Sequence, residues 1–158
     1  MTYPLDPAWE YVPDAVMGGQ SQGHMKHEDV QGRAATRLLG EVSLENNGGF
    51  IQMAFDFDPD GRVFDARDWQ GLEVTCLGNG EEYELRLRTA DLEKPWQSFR
   101  STFIAPSEWT TQRLAFADLE PHRTDAAFRP ENLRRCGLVA VGRAFHVDLA
   151  VAAIALYR

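Results

Sequence analysis

The stretch Tyr83-Glu84-Leu85-Arg86-Leu87-Arg88 alternates strictly between apolar and charged residues. In a β-strand, successive side chains point to opposite faces. Tyr83, Leu85 and Leu87 would therefore share one face, and Glu84, Arg86 and Arg88 the other. The stretch predicts a strand that buries one face and leaves the other polar.

The same period of two recurs along the chain. It is clear in residues 50–57, where Ile51, Met53, Phe55 and Phe57 fall on one face, and weaker in 97–104, 109–116 and 145–151. Turn signals separate these segments; they are Asp60-Gly61, Gly78-Asn79-Gly80, Ala105-Pro106-Ser107 and Gly142-Arg143. The spacing predicts roughly nine or ten strands arranged as a sandwich or barrel.

Helical periodicity is scarce. We expect one short turn near Phe116–Leu119 and another at 130–135, where Pro130 suits a first helical position. The alanine-rich end, residues 149–157, has helix-favouring composition. We nevertheless predict a buried strand with a bulge near Ala152, because such a strand completes an all-β pattern.

Length and composition predict one soluble domain spanning residues 1–158. The chain is 44% hydrophobic and 25% charged, which is ordinary for a globular protein. No apolar stretch approaches the roughly 20 residues that span a bilayer. The first residues lack the basic and apolar regions of a secretory signal, so we expect a cytoplasmic location.

The charge balance argues against two classes of partner. The net charge is −8, with two lysines and fourteen arginines. Binding to nucleic acid or to an anionic membrane surface requires a basic surface. We therefore expect no nucleic-acid partner, although a local arginine cluster could escape the overall sign.

The two cysteines, Cys76 and Cys136, lie in apolar strand-like segments. No C-x-x-C pair is present, so a zinc site is not indicated. The pattern favours buried free thiols, and a disulfide between them is the alternative if their strands are adjacent.

Two further segments are weak candidates for metal binding. Residues 56–61 begin like a calcium-binding loop, but Arg67 stands where a bidentate Glu is needed. His24 and His27 would lie on opposite faces of a strand, with Lys26 between them. We expect a polar turn and a solvated strand, and no metal ligand set.

No catalytic set or cofactor motif is apparent. Ser21, His122, His146 and Asp148 are not brought together by any known pattern, and no G-x-S-x-G elbow occurs. The glycine-rich segment near the start lacks the Lys-Ser/Thr ending of a P-loop and precedes no helix. We predict a non-enzymatic protein without a cofactor, and keep the His146–Asp148 pair as a minor enzyme hypothesis.

The charged face of Glu84, Arg86 and Arg88 is a stronger candidate for function. Trp69, Trp96 and Trp109 lie near the beginnings of predicted strands. Arginine and aromatic side chains on a concave sheet suit recognition of a sugar or a peptide. The alternative is a salt-bridged outer face with tryptophans packed at the sandwich edges.

Two glycine segments carry a family resemblance. The first is Asp14-Ala15-Val16-Met17-Gly18-Gly19-Gln20-Ser21, and the second is Gly40-Glu41-Val42-Ser43-Leu44-Glu45-Asn46-Asn47-Gly48-Gly49-Phe50. Together they resemble the complex I intermediate-associated protein family. Later matches follow in order: Trp69–Val74, Gly78–Arg88, Trp109 with Leu114–Leu119 (Ala115 replacing a common Pro), and the closing Leu149, Val151 and Ile154.

The resemblance implies a galactose-binding-like jelly-roll β-sandwich of two antiparallel sheets, without established catalytic residues. Mitochondrial members assist assembly of NADH:ubiquinone oxidoreductase, and this chain looks like the short stand-alone bacterial members. It therefore implies a non-catalytic assembly factor for that respiratory complex or another protein complex, with its subunits as protein partners. A carbohydrate-binding module using the concave sheet face is the alternative.

The candidate binding residues combine both arguments; they are Asp14, Met17, Gly18, Gly19, Ser21, Asn47, Gly48, Gly49, Glu84, Arg86 and Arg88. Met17 would be an adaptable apolar contact. A purely structural role competes for the glycines, which suit places where a backbone passes closely.

Overall fold

The computed structural model describes residues 1–47 and 49–158, without the side chains of Val16, Met17 and Asn47. Twelve strands account for most of the regular structure of these residues: β1 Thr2–Pro4, β2 Glu10–Pro13, β3 Gln22–Val30, β4 Arg33–Val42, β5 Phe50–Asp56, β6 Gly71–Gly78, β7 Glu82–Thr89, β8 Ser98–Ile104, β9 Thr110–Ala115, β10 Glu120–His122, β11 Leu133–Val141 and β12 Phe145–Tyr157. Short 3-10 turns cover Asp14–Met17, Glu45–Asn47, Phe116–Asp118 and Pro130–Asn132.

The strands form two antiparallel sheets. Sheet A has the order β3-β4-β12-β6-β9, and β1 pairs with β12 beyond the end of β4. Sheet B has the order β10-β8-β7-β11-β5-β2. The chain crosses between the sheets after β2 and again after β4, so both glycine segments are crossover connections.

The core lies between the inner faces of the two sheets. In sheet B, Leu85 of β7 stands opposite Leu138 of β11, which stands opposite Met53 of β5, and all three are fully buried. Sheet A contributes Leu38, Leu72 and Leu149 from β4, β6 and β12. Burying an apolar side chain of this size stabilises the folded protein by about 1.5–3 kcal/mol. The alternation of apolar and polar residues therefore also determines which face of each strand turns toward the core.

The expected closing strand is present, with its bulge where the sequence places it. Strand β12 pairs with β4 on one side and β6 on the other, and its register against β6 shifts between Val151 and Ala153. Tertiary pairing therefore overrides the helix propensity of the alanines. The short turns at 116–118 and 130–132 were also expected, and they are 3-10 rather than α-helical.

The strand number exceeds the sequence expectation because β1, β2 and β10 have only three or four residues each. Such segments are too short to show periodicity. The two cysteines are free and buried, Cys76 in sheet A and Cys136 in sheet B. None of the helices in the part of the chain that the structure describes is long and apolar enough to cross a membrane.

Candidate functional site

Asp14 lies at the centre of the first candidate site and is fully buried. Its Oδ2 accepts hydrogen bonds from Ser21 Oγ at 2.5 Å, Gly49 N at 2.6 Å and Phe50 N at 3.2 Å. Its Oδ1 accepts one from Ser21 N at 3.1 Å. We call Asp14, Ser21, Ser43, Gly49 and Phe50 the Asp14 clasp.

The clasp joins the two crossover connections. Asp14 follows β2 and Gly49 precedes β5, both in sheet B, whereas Ser21 precedes β3 in sheet A. Ser43, which follows β4, donates its backbone N–H to Ser21 Oγ at 2.8 Å. The Asp14 carboxylate and the Ser21 hydroxyl together thus link the ends of four strands at one end of the sandwich.

Electrostatics favour the ionised form of Asp14. Burial by itself raises the pKa of this carboxyl, but the hydrogen bonds from Ser21, Gly49 and Phe50 outweigh burial and lower its pKa below the usual value. Among the described residues, no basic side chain forms an ion pair with Asp14. The charge is held by neutral donors, as in other carboxylates stabilised by backbone N–H groups.

Glycine is required beside this carboxylate. A Cβ on Gly19 would lie 2.6 Å from Asp14 Oδ1, well inside van der Waals contact, and would overlap the carboxyl carbon as well. Gly18 has φ of 85°, in the left-handed region, and ends the turn by donating to the carbonyl of Ala15. The first glycine pair therefore lets the chain fold tightly around the Asp14 side chain.

Three predicted residues of these segments cannot be placed in the same detail. Gly48 and the side chains of Met17 and Asn47 lie outside the described residues. Of the others, Asp14, Ser21 and Gly49 are buried, whereas Gly18 is exposed and Gly19 is half-buried.

The second candidate site is the outer face of sheet B. Glu84, Arg86 and Arg88 project together from β7 and are each half-buried, as the alternation predicts. In the register of the sheet, Arg86 stands opposite Arg100 of β8, and Arg88 stands opposite Arg135 of β11. Residues directly opposite on antiparallel strands have Cβ atoms about 4.5–5.5 Å apart, so like charges there destabilise the sheet.

The neighbouring carboxylates compensate this charge unevenly. Glu84 pairs with Arg86 at 2.9 Å and with Arg100 at 3.7 Å. Arg135 pairs with Asp56 at 2.9 Å and with Glu10 at 3.4 Å. Arg88 instead donates to the backbone carbonyls of Lys94 and Gln97, at 2.9 and 3.2 Å.

Arg88 has no carboxylate within ion-pairing distance in the described part of the chain. Its pKa is lowered first by burial and then by the positive charges of Arg135 and Arg134. Burial and the charges of Arg100 and Arg86 lower the pKa of His122 in the same way. In both cases the charges of neighbouring arginines add to the effect of burial, although the net charge of the chain is negative.

A cavity of about 220 Å³ lies at this positive region. Its lining includes Gln52, Arg86, Arg88, Ser98, Arg135 and Gly137. We call it the arginine pocket. Trp96, 53% exposed, stands at the same cavity, and Lys94 Nζ lies 6.0 Å from the centre of its ring.

Ser98 is distinctive within the arginine pocket. Its side chain is buried at 3% exposure, and its Oγ is the single buried side-chain polar atom among the described residues that has no hydrogen-bond partner. Buried hydroxyls nearly always have a partner. The pocket therefore contains an unused donor beside its arginines.

Sequence reasoning missed Arg100, Arg135 and Ser98 as members of this face. The alternation around Arg135 is broken by a β-bulge between Leu133 and Arg135, and its neighbour Arg88 lies far away in sequence. Of the three expected tryptophans, only Trp96 borders the face. Trp109 donates to the carbonyl of Val30 at 3.0 Å, and the ring of Trp69 lies 5.9 Å from that of Tyr3.

A larger cavity of about 800 Å³ lies beside sheet A, where β4 ends its pairing with β12 and β1 begins. Small apolar side chains dominate its walls, including Ala34, Ala35 and Ala152. Of its acidic residues, Glu28 is already paired with Lys26 and Arg37. We favour the smaller arginine pocket as the functional site because its polar groups converge and remain incompletely paired.

The two residues of the minor enzyme hypothesis have separate partners. His146 Nδ1 lies 2.6 Å from Glu41 Oε1, while Asp148 accepts two hydrogen bonds from Arg37 at 2.8 and 2.7 Å. Neither residue lines the arginine pocket, the larger cavity beside sheet A or the cavity at Glu84 and Arg100. The geometry thus offers no support for catalysis by this pair.

The metal candidates are also used structurally. Asp58 Oδ1 accepts from the N–H of Asp60 at 2.8 Å, and the carbonyl of Asp58 accepts from Gly61, which makes a polar turn. His27 Nδ1 lies 2.9 Å from Thr36 Oγ1. No group of three or more His, Cys, Asp or Glu side chains suited to a metal ion occurs among the described residues.

Comparison with solved structures identifies the architecture. The chain matches a family 11 carbohydrate-binding module from Clostridium thermocellum in complex with a β-1,3-1,4-mixed-linked tetrasaccharide, at a TM-score of 0.78 and 12% identity, over 99% of this chain and 95% of the other. The family 11 module of the cellulosomal cellulase Lic26A-Cel5E of C. thermocellum gives 0.79 and 12%, over 99% and 94%. The family 30 module of the C. thermocellum cellulase Cel9D-Cel44B gives 0.64 and 13%, over 99% and 96%.

These likenesses confirm the predicted galactose-binding-like jelly-roll sandwich, and at such low identity they show the fold alone. No curated protein matches the chain. The model of the Complex I intermediate-associated protein 30 family matches residues 4–149, nearly the whole chain. The chain therefore belongs to the complex I intermediate-associated protein 30 (CIA30) family.

Proposed function

We propose that this protein is a non-catalytic binding factor that assists assembly of a protein complex, with respiratory NADH:ubiquinone oxidoreductase as its first candidate client. Family membership over residues 4–149 supports the class of function. The observation that carries the proposal is the outer face of sheet B, where Arg86, Arg88 and Arg135 line the arginine pocket and Arg100 stands opposite Arg86 on β8.

This face has the chemistry of a protein interface. Arginine and tryptophan are enriched at interfaces and among the residues whose truncation costs most binding energy. Arg86 and Arg88 are held by hydrogen bonds to Glu84, Lys94 and Gln97, so less side-chain entropy is lost when a partner binds. Trp96 adds an exposed aromatic ring at the pocket.

We further propose a division of roles among the predicted residues. Glu84, Arg86 and Arg88 contact the partner, whereas Asp14, Ser21, Gly19 and Gly49 hold the two crossovers in place. The burial of Asp14 and its four hydrogen bonds support the second role. Gly18, Met17, Asn47 and Gly48 stay candidates for contact with the partner.

The test is deletion of the gene in its native host, followed by native gels of membrane complexes and affinity purification of the tagged protein. We expect the NADH:ubiquinone oxidoreductase band to fall severalfold and to recover when the wild-type chain is supplied. Its subunits or assembly intermediates should co-purify with the tagged chain. An unchanged band together with no co-purifying complex subunit would contradict the proposal.

Carbohydrate binding on the same face is the second candidate function. It is favoured by the structural likeness to carbohydrate-binding modules, one of them solved with a mixed-linked tetrasaccharide. Calorimetric titration with mixed-linked β-glucan oligosaccharides tests it, with Trp96→Ala as the variant. Absence of heat at millimolar sugar would remove this candidate and leave the assembly proposal untouched.

A further inference from the structure

We propose that the arginine pocket binds the carboxylate of an acidic side chain presented by the protein partner. The inference rests on the proposed binding function and names the chemistry that the partner must carry. It starts from the register of sheet B, which sets Arg88 against Arg135 on β7 and β11, with Arg86 two residues before Arg88 on the same face.

Such a cluster costs stability in the free protein. Arg88 and Arg135 repel each other across the strands, and only Arg135 has carboxylates beside it, at 2.9 and 3.4 Å. A bound anion would offset this repulsion. A half-buried position strengthens the effect, because charges there are screened less than on the open surface.

The hydrogen-bonding groups suit a planar anion. Arginine presents donors in a fork that matches a carboxylate. In Arg88, Nε and Nη2 are already used by Gln97 and Lys94, so the guanidinium is oriented and its remaining N–H groups are left for a ligand. Gln52 and the unpartnered hydroxyl of Ser98 add neutral donors at the wall of the same cavity.

The size of the pocket fits a side chain rather than a sugar chain. Its volume of about 220 Å³ is below the roughly 300–1,000 Å³ of usual small-molecule sites. Gly137 contributes to this space, because a Cβ there would lie 2.6 Å from Gln52 Oε1. One carboxylate-bearing group is a suitable occupant.

The experiment is calorimetric titration of the full chain at low salt with a blocked hexaglutamate peptide and a blocked hexaglutamine peptide. Because the protein carries a net charge of −8, its overall electrostatic repulsion opposes binding of the acidic peptide, so binding requires a local positive site. We expect the glutamate peptide to bind, the glutamine peptide not to bind, and affinity to fall as salt is raised.

Three variants and one control locate the binding. Arg88→Gln and Arg135→Gln should each weaken the glutamate peptide tenfold or more, since each removes a charged donor. Ser98→Ala should weaken it severalfold and leave the fold intact, because its hydroxyl has no partner to lose. Arg62→Gln removes the same charge from an exposed position outside the arginine pocket, so its affinity should stay within twofold of wild type. Thermal melts confirm that each variant is folded.

Several results would overturn the inference. They are no binding of the glutamate peptide at millimolar concentration, equal binding by Arg88→Gln, tighter binding of inorganic phosphate, or tighter binding of trigalacturonate, which carries carboxylates on a sugar. Capture of a complex subunit that Arg88→Gln leaves unchanged would reject the pocket while the assembly function stands. If the glutamate peptide binds specifically but deletion of the gene leaves every complex unchanged, the assembly function would be rejected and the carboxylate-binding pocket would stand.

Discussion

At the scale of single residues, the structure gives Asp14 a structural role that its sequence context does not decide. A glycine-rich segment with an acidic residue and a serine suits an exposed ligand loop as well as an internal connection. The carboxylate is buried and receives four hydrogen bonds from Ser21, Gly49 and Phe50. Its place at both crossovers ties the ends of the two sheets together.

Replacing Asp14 by Asn should destabilise the protein. An amide group turns one acceptor oxygen into a donor, which then faces the N–H groups of Ser21 or of Gly49 and Phe50. Loss of charged hydrogen bonds and an unsatisfied buried donor together predict a loss of about 2 kcal/mol. Urea unfolding measures it. The matched control is Asp68→Asn, an exposed position, which should change stability by less than about 0.5 kcal/mol.

The same carboxylate predicts a pH dependence. The pKa of Asp14 is lower in the folded protein than its usual value, so the folded state favours the ionised form. Its stabilising contribution is complete above the unfolded pKa, about 3.9, and is lost as the pH falls through the lower folded pKa. The stability difference between wild type and Asp14→Asn should therefore narrow below about pH 4. A difference that widens on acidification would contradict this assignment.

At the scale of strands, alternation was enough to predict which side chains share a face but not which strands are neighbours. A period of two places Tyr83, Leu85 and Leu87 on one face and Glu84, Arg86 and Arg88 on the other. The bulge predicted near Ala152 is present as a register shift between Val151 and Ala153. The pairing of β7 with β11 is non-local. Arg135 was missed for this reason, since only the fold brings it to Arg88.

Two strand glycines should respond oppositely to substitution by alanine. In Gly137→Ala the new methyl group meets the flexible end of Gln52, which can move aside. Because glycine weakens a strand interior by about 0.5–1 kcal/mol, this variant should be as stable as wild type or slightly more so. It should also bind acidic peptide less well, because the methyl group fills the pocket.

The matched substitution is Gly40→Ala in β4. There the methyl group meets the backbone carbonyl of Gln22 and the Cα of Gly23 on the neighbouring strand β3, neither of which can move without breaking the pairing. We expect a loss of about 1–3 kcal/mol. Urea unfolding of both variants compares them directly. Equal stability of the two variants would contradict this prediction, because it would mean that the backbone of β3 moves aside as easily as the Gln52 side chain.

At the scale of the whole molecule, the sandwich separates a buried apolar interior from one outer face whose polar groups are incompletely paired. Sheet A and sheet B share the core, and the Asp14 clasp connects them at one end. The outer face of sheet B keeps incompletely compensated arginines and an unpartnered serine. Proteins often retain such local costs at functional sites, and this is why the sequence suggested a polar face while only the assembled sheet defines a pocket.

The cysteines report on the integrity of this interior. Cys76 lies on β6 of sheet A and Cys136 on β11 of sheet B, and both are completely buried. Burial raises the pKa of Cys76 to about 11 and raises that of Cys136 further, so neither forms a thiolate at neutral pH.

Both thiols should react with a disulfide reagent only after global unfolding. Without reductant, two thiols per chain should titrate in denaturant and almost none in buffer. Rapid native reaction of either thiol would reveal local opening of its sheet, and zero thiols in denaturant would reveal the disulfide that the structure lacks.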